Sequence, residues 1–378
     1  MERRGKKTQI MDLELLRERA KIIRNVRAFF DRRDYLETDT PLLAPDLIPE
    51  SCLEVFETFL LPPKGSGRKK KPCWLIPSPE IWMKRLIAQH RTNIYQICKC
   101  FRNGESMGRW HSPEFTMLEY YTIEAGYLDS LELTEELFRF LLEGNSNEPD
   151  PSCSLAPPFI RLTVEEAFSR WAGFDLFKAS RRDGAMEEEA RRLGLDPMPG
   201  LSTQELYDLI FIHTVEQKLR MERPVVLMDY PAFVPCLAKK GSGDGKSCDD
   251  AGRKSCDEAG KKSGCETVER WELYAGGVEL ANCFTEETNA GEVRGFFENE
   301  KARKEKSALV RHRVDDDYWK IFLGEELSNK KTIPMKNGFP PCSGVAMGLD
   351  RLIMLLCGRS SIDGVLPFPA CYFSKTSE

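Results

Sequence analysis

"YQICKCFRNGESMGRWHSPEFTMLEYYTIE", residues 95–124, predicts two β-strands joined by a polar loop. In the second strand a period of two places five side chains on one face: Phe115, Met117, Glu119, Tyr121 and Ile123. A carboxylate among aromatic and apolar side chains is unusual for a strand that only fills a core, because burying an unpaired charge costs free energy. The strand pair therefore predicts a sheet with a polar site on one face.

A second stretch, "CSGVAMGLDRLIML" at residues 342–355, has small residues at every second position, which are Gly344, Ala346 and Gly348. It ends in a predicted helix with an apolar face. The glycines would let backbone and ligand approach closely. Arg351 interrupts this apolar run, and either a salt bridge at the helix start or a bound anion would account for its charge.

The remaining segments predict a mixture of helices and strands. Apolar residues recur at helical spacing from Leu15 to Phe30, and another helix starts near Pro79. Residues 126–220 alternate helical patterns with turns. Residues 238–268 are rich in glycine, serine and charge, which predicts a disordered insertion, and their three cysteines match no familiar zinc spacing.

The composition is that of a chain with a sizeable core. The 378 residues are 41% hydrophobic, and no apolar run reaches the length that crosses a bilayer. The basic N-terminal stretch has no apolar segment behind it and does not predict a secretory signal. The 13 cysteines form no framework, which favours reduced thiols and a cytoplasmic location. A net charge of −5 argues against a dedicated nucleic-acid binder.

Several polar residues lie where burial would be costly, and together they indicate a nucleotide site. Arg102 and Arg351 could hold separate phosphates through bidentate contacts. Glu272 and Glu279 could hold Mg²⁺, a cation that prefers carboxylate and phosphate oxygens. Phe115 could stack on a purine. The chain has neither a GxxxxGK[ST] phosphate loop nor a GxGxxG turn that opens a strand–helix unit, so the predicted site is of another kind.

Three segments carry a family resemblance. "FRNGESMGRWHSPEFTMLEYY" resembles motif 2 of the class II aminoacyl-tRNA synthetases, and "GVAMGLDRLIML" resembles their motif 3. "RRDYLETDTPLL" is similar to motif 1, with Pro41 at the motif proline. "SPEIWMKRL" and "ELANCFTEET" are similar to the lysyl-tRNA synthetase branch. The resemblance runs from about residue 19 to the C-terminus, apart from residues 238–268.

The resemblance implies an α+β fold, with an antiparallel sheet of six or seven strands flanked by helices, usually as a homodimer. It implies ATP bound together with Mg²⁺. We expect residues 1–378 to form a single catalytic domain without an anticodon-binding domain, because some eighteen residues before the matched region are fewer than the roughly 50 that a domain needs.

The resemblance also implies roles for individual residues. The catalytic residues would be Arg102, at the α-phosphate and the substrate carboxylate, and Arg351, at the γ-phosphate. The implied ATP-binding residues are Arg102, Asn103, Glu105, His111, Phe115, Glu272, Glu279 and Arg351, of which Glu272 and Glu279 would hold Mg²⁺. The implied amino-acid pocket consists of Ser78, Glu80, Glu119, Tyr121, Asn282, Glu286 and Ala346.

This chain departs from the family pattern at two places. Motif 2 usually has Arg-x-Glu, but Gly104 stands at the glutamate position and Glu105 follows it. The loop is also one residue longer before His111. In the lysyl branch, Cys283 replaces a glycine. These departures leave the contact between Glu105 and adenine open.

Within the lysyl branch, the same segments are most similar to the paralogues that activate (R)-β-lysine and transfer it to a lysine ε-amine of elongation factor P, with no tRNA substrate. Ala346 supports this, because lysyl-tRNA synthetases have glycine at that position and these paralogues have alanine. Two alternatives remain open. The chain could activate α-lysine or another amino acid for a different carrier, or it could be a non-catalytic paralogue that binds a partner.

Overall fold

The computed structural model describes residues 12–105, 107–144, 154–241, 267–323 and 338–369. The described strands are β1 (Leu36–Glu37), β2 (Leu43–Ala44), β3 (Glu57–Leu60), β4 (Lys71–Leu75), β5 (Ile94–Phe101), β6 (Glu114–Ile123), β7 (Ile160–Thr163), β8 (Val225–Pro231), β9 (Thr267–Ala275), β10 (Val278–Thr285) and β11 (Cys342–Gly348). The described α-helices are α1 (Leu13–Asp31), α2 (Glu80–His90), α3 (Tyr127–Glu143), α4 (Val164–Ala167), α5 (Leu176–Ser180), α6 (Ala185–Arg192), α7 (Thr203–Ile210), α8 (Ala290–Ser307) and α9 (Leu349–Leu356).

Eight strands form one sheet, in the order β1-β5-β6-β11-β10-β9-β8-β7, and β2, β4 and β3 form a small second sheet. The inner strands pair antiparallel, which confirms the predicted antiparallel sheet. The outermost strands differ from the expectation, because β1 and β7 each pair in parallel with their neighbour. Parallel neighbours need a long crossover connection, and helices α4 to α7 lie in the crossover from β7 to β8.

The register of the inner strands brings predicted site residues onto one face of the sheet. Glu119 on β6 lies opposite Ala346 on β11, and Ala346 lies opposite Asn282 on β10. Two residues further along, Tyr121 on β6 lies opposite Gly344 on β11. Because directly paired residues point to the same side of a sheet, these side chains form adjoining rows.

The other face of β6 packs against helices. Leu118 and Tyr120 alternate with the site residues and are fully buried, in one apolar cluster with Phe30 of α1 and Phe138 of α3. The ring of Phe30 stacks on that of Tyr95, with centroids 4.8 Å apart. The period-two pattern of β6 thus separates a helix-covered core from the site face.

The predicted disordered insertion at 238–268 is wrong at both of its ends. Ala238 forms a β-bridge with Glu286, and Lys240 forms one with Val268, so both ends of the segment pair with the sheet. Ala238 and Val268 are also buried in an apolar cluster, so the two ends differ from the polar residues between them on which the prediction was based. The prediction for residues 242–266 lies outside the described residues.

Two further findings concern cysteines and membranes. The eight cysteines within the described ranges are free thiols. Among the helices of those ranges, none combines the length and apolar character that a membrane span needs.

Candidate active site

A cavity of about 450 Å³ opens on the site face of the sheet. Ten of the predicted site residues line it: Glu80, Arg102, Glu105, His111, Phe115, Glu272, Glu279, Asn282, Ala346 and Arg351. They come from α2, from β6, β9, β10 and β11, from the loop after β5 and from α9. Residues that are far apart in the chain therefore meet in one place, as the predicted nucleotide site requires.

Arg102 follows the last residue of β5 and is held by its backbone, since its N–H donates to the Pro113 carbonyl at 3.0 Å. Its Nε atom is buried and has no hydrogen-bond partner among the described residues. The nearest carboxylate oxygen, on Glu105, lies 3.9 Å from Nη1. The guanidinium carbon lies 5.4 Å from the centre of the Phe115 ring. A buried donor without a partner is costly, so this guanidinium is prepared for an anion.

Arg351 lies in the first turn of α9 and is oriented by two backbone carbonyls. Its Nε donates to the Trp110 carbonyl oxygen at 3.0 Å, and its Nη1 donates to the Glu279 backbone carbonyl oxygen at 2.7 Å. No hydrogen bond from Nη2 is found within the described ranges. Partial burial and the Arg351 charge lower the pKa of His111, which keeps that imidazole neutral at neutral pH. The arginine can thus hold an anion from a fixed position.

Two carboxylates lie near these arginines. Removal from bulk water and the Glu272 charge raise the pKa of Glu279, although its side chain is still 45% exposed and water screens part of this effect. Glu272 is more enclosed, and its Oε2 accepts hydrogen bonds from Tyr230 at 2.6 Å and Tyr274 at 2.7 Å. Among the described residues, Arg270 is the one donor to its Oε1, which can therefore still offer a lone pair to a cation. The pair fits a hard cation such as Mg²⁺.

Arg270 is a site residue that the sequence analysis missed. Its Nη2 donates to Glu272 at 2.5 Å, and its Nε donates to Asn282 Oδ1 at 3.1 Å. Its guanidinium lies 4.5 Å from the centre of the Tyr230 ring. Arg270 therefore orients Glu272, which is predicted to bind on the nucleotide side, and Asn282, which is predicted to bind on the amino-acid side. The period-two spacing of Arg270, Glu272 and Tyr274 on β9 was a signal that could have revealed it.

Three residues predicted for the amino-acid pocket form a hydrogen-bonded group beneath the cavity wall. The hydroxyl of Ser78 donates to Glu119 Oε2 at 2.6 Å, and the hydroxyl of Tyr121 donates to Oε1 at 2.7 Å. Burial and the neighbouring Glu80 carboxylate raise the pKa of Glu119 to about 8. With such a pKa this carboxyl is mostly protonated at neutral pH, and a nearby cation would favour its ionisation.

Lys84 is the second residue that sequence reasoning missed. Its Nζ lies 2.5 Å from Glu80 Oε1 and 2.6 Å from Glu286 Oε2, and its side chain is 1% exposed. Burial opposes its charge, but Glu286 and Glu80 outweigh burial and hold the pKa of Lys84 well above its ordinary value. Glu80 and Glu286 thus contact a single ammonium, and Glu119 interacts with it electrostatically. When ionised, they leave a net negative charge that favours a basic ligand.

Gly344 provides the room in which this group packs. A Cβ atom at this position would lie 2.5 Å from Tyr121 Cε1 and 2.6 Å from Glu286 Oε1. Ala346, one pair further along β11, lies between Glu119 and Asn282 and lines the cavity. The small residues therefore shape the part of the site that is predicted to bind the amino acid, and Arg351, at the start of the following helix, lines the part that is predicted to bind the nucleotide.

The departure from motif 2 has a structural reason. Gly104 has a φ of +71°, a conformation that side-chain-bearing residues rarely adopt. Glu105 stands one position later in the sequence than the usual motif 2 glutamate. It lines the cavity near Arg102, so its carboxylate still faces the part that is predicted to bind the nucleotide. Asn103 does not line the cavity, because its side chain bonds to the backbone instead. Its Oδ1 accepts from the Gly104 N–H at 2.9 Å, and its Nδ2 donates to the Val55 carbonyl at 3.4 Å. Its predicted contact with ATP stays a prediction.

Comparison with known proteins agrees with this geometry. The family model "tRNA synthetases class II (D, K and N)" matches residues 7–371. The chain is 33% identical to the elongation factor P–(R)-β-lysine ligase of Avibacterium paragallinarum, over 94% of this chain and 95% of that protein. It is 32% identical to the ligase of that name from Proteus mirabilis, over 94% of each chain, and 33% identical to that from Vibrio vulnificus, over 94% and 96%. The chain belongs to the class II tRNA synthetase family.

Proposed function

We propose that the protein activates (R)-β-lysine with ATP as an enzyme-bound adenylate and transfers the β-lysyl group to a lysine ε-amine of elongation factor P. The observation that carries this proposal is the arrangement of charge along one cavity. Two arginines that can hold phosphate lie on one side, and buried carboxylates around Lys84 lie on the other. An ATP molecule and an amino acid with two ammonium groups match this arrangement, and the relatives, which are named as ligases of (R)-β-lysine and elongation factor P, support the same substrates.

The first step needs no nucleophile from the protein. A carboxylate oxygen of β-lysine attacks the α-phosphorus of ATP, an O–P bond forms, and the bond to the β-phosphate breaks with release of pyrophosphate. Arg102 is the residue that contacts both the carboxylate and the α-phosphate in this proposal, and Arg351 holds the γ-phosphate. Orientation and fixed positive charge supply the catalysis.

Glu272 and Glu279 are the residues that would hold Mg²⁺. Within the described ranges, no group of three or more His, Cys, Asp or Glu side chains could hold a metal. The phosphates of ATP would therefore complete the ligand set. When bound, the cation offsets phosphate charge. Arg270 and the tyrosines around Glu272 fix that carboxylate.

In the second step the acceptor amine attacks the carbonyl carbon of the adenylate. A C–N bond forms, the C–O bond to AMP breaks, and the phosphate leaves with the electron pair. The amine must be neutral to attack, so protons have to leave the acceptor ammonium at this step.

The direct test uses the purified protein with ATP and a panel of amino acids. Pyrophosphate exchange should require (R)-β-lysine and be weak or absent with other amino acids. The protein should then add one β-lysyl group to elongation factor P, as seen by mass spectrometry, and should not charge tRNA. Efficient charging of tRNA by the protein would contradict the proposal. The predicted homodimer is checked in the same preparation by light scattering.

Substrate preference gives a sharper prediction at Ala346. The variant Ala346→Gly removes the methyl group between Glu119 and Asn282. We expect it to shift the ratio of activation rates toward α-lysine by about 10–200-fold, because one carbon in a pocket typically carries ~1–3 kcal/mol of discrimination. Pyrophosphate exchange with each lysine isomer measures the ratio. An unchanged ratio would show that this methyl does not set the preference.

The affinity for β-lysine should depend on pH through Glu119. Its pKa is raised to about 8 by burial and Glu80, and a bound ammonium would lower it, so binding the dication releases a proton below pH 8. We therefore expect KM for β-lysine to fall by up to about tenfold per pH unit as pH rises from 6 toward 8, and then to level off. Glu119→Gln should flatten this dependence. A constant KM for the unaltered protein over that range would contradict the role given to Glu119.

A further inference from the structure

One carboxylate in the cavity wall has no part in the contacts proposed above. Glu50 lies in the irregular segment between β2 and β3, and its neighbours Cys52 and Leu53 also line the cavity. Within the part of the chain that the structure describes, its carboxylate has neither a hydrogen bond nor an ion pair. A half-buried carboxylate that faces a ligand cavity without a protein partner is available to a substrate.

The backbone that carries Glu50 is held firmly by one helix. Glu300 Oε2 on α8 accepts from the Ser51 N–H at 2.9 Å and from the Ser51 hydroxyl at 2.7 Å. One turn later, Lys304 Nζ donates to the carbonyls of Glu50 at 2.9 Å and Leu53 at 2.5 Å. Glu300 and Lys304 are both buried. Glu300 accepts two of these hydrogen bonds and Lys304 donates the other two, and together they fix the position of this segment, as a catalytic side chain requires.

Glu50 lines the same cavity as Glu80, which is assigned to the amino acid, and Arg102, which is assigned to the nucleotide. Its carboxylate interacts electrostatically with Glu80 and Lys84 on the amino-acid side, with Arg102 on the nucleotide side, and with Lys304 of α8. The reactive carbonyl of an adenylate joins the amino acid to the α-phosphate, so it would lie between the same groups. Burial and the Glu80 charge raise the pKa of Glu50 to about 7. A carboxylate with such a pKa is suited to exchange protons near neutral pH.

Cys52 is the other group in this segment that could take part in chemistry. Burial and the Glu50 charge raise the pKa of its thiol to about 11. The thiolate is the nucleophilic form of cysteine, and very little of it exists at neutral pH with such a pKa. A thioester on Cys52 is therefore disfavoured, and the proton-accepting group is Glu50.

We propose that Glu50 is the general base of the transfer step and takes a proton from the acceptor lysine. This inference rests on the proposed function. The ε-ammonium gives one proton to the Glu50 carboxylate, and the resulting amine attacks the adenylate carbonyl. The C–N bond forms, the C–O bond to AMP breaks with its electron pair on the phosphate, and the remaining excess proton on nitrogen passes to water. Glu50 then returns its proton to solvent.

The test is a single-turnover measurement on the full chain. The enzyme is loaded with ATP, (R)-β-lysine and pyrophosphatase, the adenylate is quantified, and elongation factor P is added at a series of pH values from about 6 to 9, which spans the ionisation of the base. Acylation is followed by mass spectrometry. Glu50→Gln should transfer at least about 10²-fold more slowly at neutral pH and should lose the break in the pH profile near 7. Glu50→Asp should keep the break at a reduced rate, and Glu57→Gln, an exposed change on β3, should match the unaltered protein.

The outcomes separate the two proposals. If the unaltered protein forms no β-lysyl-adenylate, or does not acylate elongation factor P, the proposed function is overturned and this inference with it. If it does both, but Glu50→Gln transfers with the same rate and the same break, only the role of Glu50 is wrong. If the substitution acts mainly by raising KM for β-lysine in pyrophosphate exchange, Glu50 binds the amino acid, and the inference is also rejected.

Discussion

Replacing Arg102 with alanine is expected to lower kcat/KM for ATP–pyrophosphate exchange on the order of 10³-fold. Its guanidinium has a buried Nε without a partner in the described ranges, and only Glu105, at 3.9 Å, lies near Nη1. This arrangement fits the proposed role, in which the cation is held for a ligand rather than for the stability of the fold. Loss of a fixed cation at the reacting phosphate removes stabilisation that operates mainly in the transition state.

Two control variants make this result interpretable. Arg102→Lys keeps the charge but not the planar pair of donors, and we expect it to recover only a small part of the rate. Arg68→Ala removes an exposed arginine in the loop between β3 and β4 and should change neither activity nor the unfolding temperature. If Arg102→Ala unfolds at the same temperature as the unaltered protein and keeps its exchange rate, Arg102 does not contact the reacting groups.

Gly344→Ala is the second substitution with a large expected effect. The added Cβ would lie 2.5 Å from Tyr121 Cε1 and 2.6 Å from Glu286 Oε1. Tyr121 is fully packed and donates a hydrogen bond to Glu119, so it cannot move without breaking that bond. We expect kcat/KM for β-lysine to fall by about 10²-fold or more and the free energy of unfolding to fall by ~1–3 kcal/mol.

A matched glycine shows whether the effect is local. Gly295 lies on α8, and a Cβ there would have no atom within 4 Å. Gly295→Ala should leave activity unchanged and stabilise the helix by up to ~1 kcal/mol. Exchange kinetics and thermal unfolding of both variants give the comparison. Normal activity of Gly344→Ala would mean that Tyr121 and Glu286 adapt, and that the pocket is less rigid than the packing indicates.

The sequence predicted the parts of the site that depend on local periodicity. The period of two in β6 places Phe115 and Glu119 on the site face, and the small residues of β11 lie where the pocket needs space. The antiparallel sheet was expected and is confirmed, but its parallel edges were not expected. The pairing of the edge strands depends on how the connections run across the whole sheet, and a short sequence pattern does not predict those connections.

The missed residues share a different cause. Lys84 stands four residues after Glu80 on a helix, which is the same spacing as in an ordinary solvated ion pair, so only the packing of distant Glu286 reveals its burial. Glu50 lies in a segment without regular secondary structure, and its position depends on Glu300 and Lys304 far along the chain. Contacts between residues far apart in the chain produce no periodic sequence pattern, so periodicity could not predict them.

The short outer strands of the large sheet have a consequence for self-association. The two edge strands of the large sheet are β1, with two residues, and β7, with four. Each edge of the sheet therefore has few unpaired backbone groups. A long exposed edge strand would be a template for strand addition and for aggregation. A second copy of the chain is thus not expected to extend the sheet. Complementary side-chain surfaces would have to join the two subunits of a dimer.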